Sequence, residues 1–424
     1  MMYTAIIEFF KSQFKGDKVI WRLLFILSAI SLLAVYGSIS LIAIKGNENN
    51  TTIFLIKQAF TLGVGIAITY WVHKLDYSWF FKLSNILIIL SAVFLMLTFS
   101  STFAVETNNA NRWIQFPGIG LRFQPSEFAK IALLIFIAKV LSIHQKDLGN
   151  VKKVLYPILI VTLAISVMVL ISNFSTAFFI LFTTVVMLFF GRIPWKQMFA
   201  LAGVGAFVGI FMLGIILKAP DIFPRGGTWQ KRIVSFMPSL ASQAKGYDAS
   251  KEIKEVMVDN HQVIQAKIAI AEGGIIGKAP GNSSQKYKLS QAYCDFIYAI
   301  IIEDYGLLGG FIVMGLYLIL MYRAGRIVKK CEYTFPALLV IGLTFSMVFQ
   351  AFVHMGVAVN LLPATGQTMP IISLGGTSLL TSSVSFGIIL GISRKIDAEE
   401  NQPKEKKTKV NEHSDDLDKT QEVA

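Results

Sequence analysis

The chain is organised around the stretch KYKLSQAYCDFIYAIIIEDYGLLGG, residues 286–310, where a polar segment passes into an apolar one. Three carboxylates lie in it: Asp295 at the transition, and Glu303 and Asp304 inside the apolar run. A charged side chain in hydrocarbon costs free energy, so its presence in a spanning helix indicates a functional site. The alternative interpretation is that Asp295 only caps the helix that follows.

The spacing of the carboxylates predicts separate roles for them. On a continuous helix, Asp295 and Glu303 would lie on one side, about 12 Å apart by the rise per residue. That distance is too long for two carboxyl groups that share one proton. We therefore expect Asp295 to act as a general base that is accessible from outside, and Glu303 to be a deeper electrostatic or structural partner.

The composition indicates an all-α integral membrane protein. The chain has 424 residues, of which 54% are hydrophobic and 15% charged, and its mean hydropathy is +0.60. Apolar runs long enough to cross a bilayer recur along most of the sequence. They predict about ten transmembrane helices, with a large extracytoplasmic loop (219–291) between the seventh and the eighth: 21–44, 53–73, 83–104, 127–143, 154–172, 174–191, 198–218, 298–322, 335–359 and 376–393.

The formal net charge of +13 reflects membrane topology. No stripe of Lys and Arg with interleaved aromatic residues lies on a polar segment, so we expect no nucleic-acid partner. Lys and Arg are concentrated in alternate short loops, which places both termini in the cytoplasm. The predicted parts are a cytoplasmic amphipathic N-terminus (1–20), a polytopic membrane domain (21–395) and a disordered cytoplasmic tail (396–424).

The third loop and the helix after it read NRWIQFPGIGLRFQPSEFAK, residues 111–130. Ser126 is a plausible N-cap, and Glu127 and Lys130 are spaced to share a helix face and form an ion pair. Arg112 adds a cation at the same outer level. The pattern leaves two interpretations open: a purely structural set of charges, or contacts to an anionic substrate.

Two further segments supply candidate substrate contacts. In the 219–291 loop, Arg232 lies in WQKRIVSF, and Lys286 follows the glycine-rich EGGIIGKAPGN; the latter lacks the Ser or Thr of a phosphate loop, but it could still hold a diphosphate. The last outer loop, LPATGQTMPIISLGGTS (362–378), has no charge. Its irregular backbone at membrane depth predicts a cavity wall, with Ser373 as a candidate contact.

Four of these stretches together resemble one family, the SEDS proteins of bacterial wall synthesis, which include FtsW and RodA. The matching stretches are NRWI with FQPSEFAK, WQKRIVSF, SSQK with CDFIYAIIIEDYG, and LPATGQTMPIISLGGTS. The charged tail and the KGDKVIW start resemble FtsW more than RodA. Three positions depart from the family pattern: Asn173 replaces an Asp, His354 replaces an Asn, and Asn111 precedes the Arg of a usual Arg-Arg-Trp.

The resemblance implies a peptidoglycan glycosyltransferase that polymerises lipid II at the outer face of the cytoplasmic membrane during cell division. It implies Asp295 as the catalytic aspartate and Glu303 as the family's second acidic residue. Candidate substrate contacts are Arg112, Glu127, Lys130, Arg232, Lys286 and Ser373. A class B penicillin-binding transpeptidase and divisome proteins are the implied partners. A requirement for Mg²⁺ or Mn²⁺ is left open, and no metal site is predicted.

Two other functions fit parts of the sequence. A lipid II flippase is compatible with ten helices and a broken last loop, although transporters usually have their site near the midplane of the bilayer. A non-catalytic division scaffold would use the charged tail to recruit partners.

Overall fold

The computed structural model describes residues 13–38, 51–100, 102–106, 111–115, 122–223, 226–237, 262–285, 289 and 294–400. Residues 1–12 of the predicted amphipathic N-terminus, Lys286 and residues 401–424 of the predicted tail lie outside the described residues. So do parts of the 219–291 loop. The predicted boundary at 395 is wrong in one respect, because residues 396–400 continue the last helix to Glu400.

The described residues contain twelve α-helices, ten of which lie where spanning segments were predicted. The two others, α8 and α9, lie in the large loop. The helices are α1 (Lys18–Ser38), α2 (Thr51–Lys74), α3 (Tyr77–Leu97), α4 (Pro125–Ile143), α5 (Tyr156–Ser172), α6 (Phe174–Phe190), α7 (Trp195–Lys218), α8 (Gly226–Phe236), α9 (262–273), α10 (Ile297–Lys330), α11 (Thr334–Ala358) and α12 (Gly376–Glu400).

Length and composition qualify eight of the ten as candidate membrane spans. The other two are α6, which has 17 residues, and α4, which carries Glu127, Lys130 and Lys139. The all-α membrane fold class is thus confirmed. It has one addition, a small antiparallel sheet in the third loop with the order β1 (Ala104–Glu106), β2 (Asn111–Gln115) and β3 (Arg122–Phe123).

Small residues let the most extensively packed pair of helices, α2 and α12, approach closely. A Cβ added at Gly65 would lie 2.6 Å from Ser383 Oγ, and one at Gly387 would lie 2.7 Å from Val72. Thr69 Oγ1 donates to the Ser383 carbonyl (2.9 Å). Close contact and interhelical hydrogen bonds are what associate helices where lipid removes the hydrophobic driving force.

The first and eighth spanning helices are joined at their predicted cytoplasmic ends. Asp17 Oδ1 accepts from the backbone N–H groups of Val19 (2.8 Å) and Ile20 (3.2 Å), so it caps α1. Its other oxygen accepts from Arg323 Nε of α10 (2.9 Å). Because Asp17 is buried, this ion pair fixes where α1 begins against α10.

Helix α10 is broken at Gly306, whose φ of 71° and ψ of −177° lie outside the helical region. The break leaves backbone groups without their usual partners within the helix, and the 274–279 loop after α9 satisfies them. The backbone hydrogen bonds run from Leu307 N to Gly274 O (2.9 Å), Leu308 N to Ile275 O (3.3 Å), Lys278 N to Glu303 O (2.9 Å) and Ala279 N to Asp304 O (3.0 Å). The loop therefore completes the helix.

The last outer loop, which the helix ends place at 359–375 rather than at the 362–378 stretch quoted from the sequence, is tied to the surrounding helices by hydrogen bonds from side chains. Polar groups at membrane depth need hydrogen-bond partners. Three helices supply donors to carbonyl groups of the loop, and a fourth supplies an acceptor for a loop side chain. The bonds are Ser31 Oγ of α1 to Ile372 O (2.8 Å), Tyr317 Oη of α10 to Pro370 O (2.5 Å), Gln350 Nε2 of α11 to Thr368 O (2.8 Å) and Gln367 Nε2 to Thr176 Oγ1 of α6 (2.8 Å).

Candidate active site

Asp295 lies in a turn before α10 and does not cap it. The N-cap position is Phe296, and no side chain forms a capping bond there. The capping interpretation of Asp295 is therefore wrong. The helical spacing assumed between Asp295 and Glu303 also fails, because α10 begins only at Ile297.

Two arginines from separate segments act on the Asp295 carboxylate. Arg112 lies on β2, and its Nε donates to the Ser172 carbonyl at the end of α5 (3.0 Å). Arg232 lies on α8, and its Nη1 donates to the Ala364 carbonyl of the last outer loop (3.0 Å). Burial raises the pKa of Asp295 to about 6, while the positive charges of Arg232 and Arg112 limit the rise. The site thus joins a partly buried carboxylate with two cations.

The last outer loop forms one wall of the site. Gly366 has a φ of +65°, and a Cβ added there would lie 3.7 Å from Asp295 Oδ2. Ser373 in the same loop is buried; its Oγ donates to the Cys294 carbonyl (3.0 Å) and accepts from Met369 N–H (2.8 Å). The loop therefore supports the residue next to Asp295, and the Ser373 hydroxyl is engaged within the protein.

The thiol of Cys294 is also engaged, since Sγ donates to the Leu374 carbonyl (2.7 Å). Burial raises its pKa well above the ordinary value, and the negative charge of Asp295 adds to the effect. Cys294 is thus a poor nucleophile. Both cysteines are free, and they flank α10, with Cys331 directly after its last residue.

Glu303 is fully buried and organises the loop that leads toward Asp295. Its Oε1 accepts from Ser284 N–H (2.7 Å), Ser284 Oγ (3.1 Å) and Gln285 N–H (3.3 Å), and Oε2 accepts from Ser283 Oγ. Lys278 Nζ lies 3.4 Å from Oε1 and also pairs with Glu272. Four donors and a cation make this an anion site filled by the protein's own carboxylate. Lys286 follows directly, outside the described residues.

Glu127 and Lys130 form the predicted ion pair at 2.8 Å, and both are buried. Lys130 Nζ also donates to Gln350 Oε1 (3.0 Å) and lies 5.0 Å from the centre of the Phe179 ring. Ser126 is not the N-cap of α4; that position is Gln124, and Pro125 begins the helix. The Lys130 ammonium therefore links α4, α6 and α11.

Sequence reasoning missed two residues of the site region as contributors. Gln350 connects Lys130 to the last outer loop, and His354, one turn further along α11, donates from Nε2 to the Cys294 carbonyl (3.0 Å). Both are buried polar residues in an otherwise apolar helix, and that was the signal available. Among the described residues, no group of three His, Cys, Asp or Glu side chains comes together as a metal site.

Known proteins resemble this chain over nearly its whole length. A family model described as "Cell cycle protein", FTSW_RODA_SPOVE, matches residues 17–398. Stage V sporulation protein E of Bacillus subtilis (strain 168) is 28% identical over 374 residues, which are 87% of this chain and 94% of that protein. A probable peptidoglycan glycosyltransferase FtsW of the same organism is 29% identical over 383 residues, 89% of this chain and 91% of that protein.

Solved structures share the fold. A chain of the structure called "Structural coordination of polymerization and crosslinking by a peptidoglycan synthase complex" matches with a TM-score of 0.67 at 23% identity, covering 90% of this chain and 98% of that one. Thermus thermophilus rod shape determining protein RodA matches with a TM-score of 0.62 at 22% identity, covering 92% and 98%. Since the family model spans all but the two ends of the sequence, this chain belongs to the FtsW/RodA/SpoVE family.

Proposed function

We propose that this protein is a peptidoglycan glycosyltransferase that polymerises lipid II into glycan strands at the outer face of the bacterial cytoplasmic membrane during cell division. The observation that carries the proposal is the state of Asp295. Its carboxylate does not cap α10, and it has a pKa of about 6 under the influence of Arg112 and Arg232. The FtsW relatives, which are named probable peptidoglycan glycosyltransferases, support the same activity.

The residues suit an inverting transfer from a lipid diphosphate. Asp295 takes the proton of the acceptor hydroxyl, the oxygen forms a bond to the anomeric carbon, and the bond from that carbon to the diphosphate breaks. The electron pair leaves with the lipid diphosphate, whose charge Arg112 and Arg232 offset. A second carboxylic acid is unnecessary, because diphosphate is already a good leaving group. The product is a β-1,4 link.

The other candidate residues have supporting roles in this proposal. Glu303 fixes the 283–285 loop, which leads to Lys286, and Lys286 is a further diphosphate contact. Glu127 and Lys130 keep the wall formed by α4, α6 and α11 in place behind Arg112. Ser373 contributes indirectly, because its hydroxyl holds the backbone carbonyl of Cys294 next to Asp295. Any Mg²⁺ or Mn²⁺ would act on the same diphosphate.

The proposed setting is the divisome. Both termini lie in the cytoplasm, so Asp295 at the start of α10 faces outward. We propose a class B penicillin-binding transpeptidase as the partner, since this chain has the fold of a component of a peptidoglycan synthase complex. The growing strand would then pass from this protein to a cross-linking enzyme.

The test is polymer formation from purified lipid II by wild type and Asp295→Asn, each with and without a chelator. Asp295→Asn keeps the size of the side chain but removes the base, so we expect a rate loss of about 100-fold or more, the range of general-base catalysis. Asp221→Asn, an exposed aspartate of the same large loop, is the matched control and should polymerise at the wild-type rate. Equal rates for wild type and Asp295→Asn would contradict the proposal.

Two further experiments separate the alternatives. A vesicle assay that measures lipid II translocation independently of polymerisation tests the flippase. If cells with Asp295→Asn still divide, but cells whose protein lacks residues 401–424 do not, the protein is a scaffold.

A further inference from the structure

The backbone carbonyl of Cys294, directly before Asp295, receives two hydrogen bonds from separate elements. His354 Nε2 of α11 donates to it at 3.0 Å, and Ser373 Oγ of the last outer loop donates at 3.0 Å. Both side chains are almost fully buried, at 1% and 2% exposure. A carbonyl oxygen has two lone pairs, so these two donors saturate it.

Further bonds fix the donors and the residue that they hold. Met369 N–H donates to Ser373 Oγ (2.8 Å), and the Cys294 thiol donates to the Leu374 carbonyl (2.7 Å). A carbonyl can only accept, so the proton of His354 lies on Nε2. The other ring nitrogen, Nδ1, is buried and has no hydrogen-bond partner among the described residues. The bond to Cys294 is therefore the polar contact that orients the imidazole.

The Asp295 carboxylate depends on this arrangement, because no capping bond ties it to α10. The residue before it is held at the carbonyl and at the thiol. Its cations are held separately, Arg112 by the Ser172 carbonyl and Arg232 by the Ala364 carbonyl. A shift of the Cys294 peptide would thus move the carboxylate relative to both guanidinium groups.

We propose that His354 and Ser373 are positioning residues, which hold the Cys294 carbonyl so that the Asp295 carboxylate stays aimed at the acceptor hydroxyl between Arg112 and Arg232. This inference rests on the proposed function. It assigns to His354 a role in the reaction without contact to substrate. It also makes Ser373 a support of the base.

The experiment measures kcat and KM for lipid II polymerisation over a pH series, with His354→Leu, Ser373→Ala and His354→Gln. The first two variants remove one donor each, and we expect kcat to fall about 10- to 100-fold, the cost of misplacing a reacting group, while KM changes less than about twofold. Gln keeps an N–H donor on a side chain that cannot titrate, so it should recover most of the loss.

The pH dependence separates positioning from a structural role. In the part of the chain that the structure describes, the charged and titratable groups that act on Asp295 or lie beside it are Arg112, Arg232, Cys294 and His354. If the carboxylate moves away from the guanidinium groups, its pKa rises, so the acid limb of kcat/KM should move to higher pH in His354→Leu and Ser373→Ala. His354→Gln should restore the wild-type limb. If instead the limb disappears in His354→Gln, the imidazole itself titrates and the proposal fails.

The matched control is Thr344→Val on the same helix, a buried position whose hydroxyl has no hydrogen-bond partner among the described residues. It should keep the wild-type rate and acid limb. An unmoved acid limb in both donor variants, or a loss confined to KM, would overturn the inference. If His354→Leu does not fold, the kcat and acid limb of Ser373→Ala and His354→Gln test the inference. A wild-type protein that forms no polymer would count against the proposed function instead.

Discussion

Two charged side chains, Asp295 before α10 and Lys130 in α4, have opposite surroundings. Lys130 is buried against Glu127 at 2.8 Å and Gln350 at 3.0 Å, so its charge is compensated inside the fold. Removing one partner of such a pair leaves a buried charge uncompensated. Among the described residues, Asp295 has no ion-pair partner as close as those of Lys130, and the positive charges that act on its carboxylate are those of Arg112 and Arg232. A group in this state is available for proton transfer.

Activity and stability should respond to Asp295 ionisation in opposite directions. Its folded-state pKa of about 6 lies above the ordinary 3.8, so its stabilising contribution is complete below 3.8 and is lost as the pH rises through 6. The ionised form costs about 3 kcal/mol at neutral pH by this difference. We therefore expect Asp295→Asn to raise the melting temperature at pH values above 6 and to leave it unchanged at strongly acidic pH.

Wild-type polymerisation should meanwhile fall as the pH drops through about 6, because the protonated carboxyl cannot accept a proton. Thermal unfolding in detergent and the rate assay, both run over one pH series, measure the two effects. A melting temperature of Asp295→Asn equal to that of wild type at every pH would argue against a costly buried charge.

At the scale of elements, the break in α10 and the loop after α9 form one unit. The loop donates two backbone N–H groups to α10 and accepts two from it. Glu303, three residues before the break, holds the next part of the same loop through Ser283, Ser284 and Gln285. The membrane helix thus fixes residues 283–285, which precede Asp295 in the chain.

Gly306 is the residue on which this unit depends. Its φ and ψ are accessible almost only to glycine, and a Cβ there would overlap the Ile275 carbonyl. We expect Gly306→Ala to lower the stability by about 3 kcal/mol or more and to reduce polymerisation, as measured by thermal unfolding and the lipid II assay. Gly315→Ala, on the same helix with nothing within 4 Å of the added Cβ, is the control and should be neutral or stabilising. Equal melting temperatures for the two variants would contradict this account.

At the scale of the whole molecule, the chain is a multi-pass protein of the bacterial inner membrane. Large apolar side chains such as Phe60, Phe199 and Phe207 are exposed on the helix surfaces, as expected where lipid covers them. The turn that holds Asp295 lies at one end of α10, and Arg323, which pairs with Asp17, lies toward the other end. The proposed orientation puts the first end outside the cell.

This orientation predicts which surface positions a membrane-impermeant thiol reagent labels in intact cells. Thr102→Cys, an exposed position in the loop between α3 and α4, should be labelled, and Lys152→Cys, an exposed position between α4 and α5, should be labelled only after lysis. The protein without an added cysteine gives the background labelling. This should be low at Cys294, because its thiol donates a hydrogen bond to the Leu374 carbonyl and has a raised pKa. The reverse labelling pattern would invert the proposed topology.

The sequence predicted the helices well because each long apolar run can satisfy its own backbone, whichever neighbours it has. It also predicted the Glu127–Lys130 pair, which depends only on helical spacing. It could not predict what depends on distant segments. Asp295 was treated as part of α10, yet the helix begins later, and the convergence of Arg112 from β2 and Arg232 from α8 has no local signal. His354 was visible only as a departure from a pattern, because its partner, Cys294, is 60 residues away.

The tethering of the last outer loop also has a consequence for biosynthesis. Its partners are spread from Ser31 on α1 to Gln350 on α11, and α12 is the one described helix that follows the loop. Because a ribosome makes the protein from its N-terminus, most of these partners are synthesised before the loop that joins them. The candidate site is therefore among the last parts of the molecule to form, and a nascent chain that stops before residue 359 carries Asp295 without the loop that forms one wall of its site.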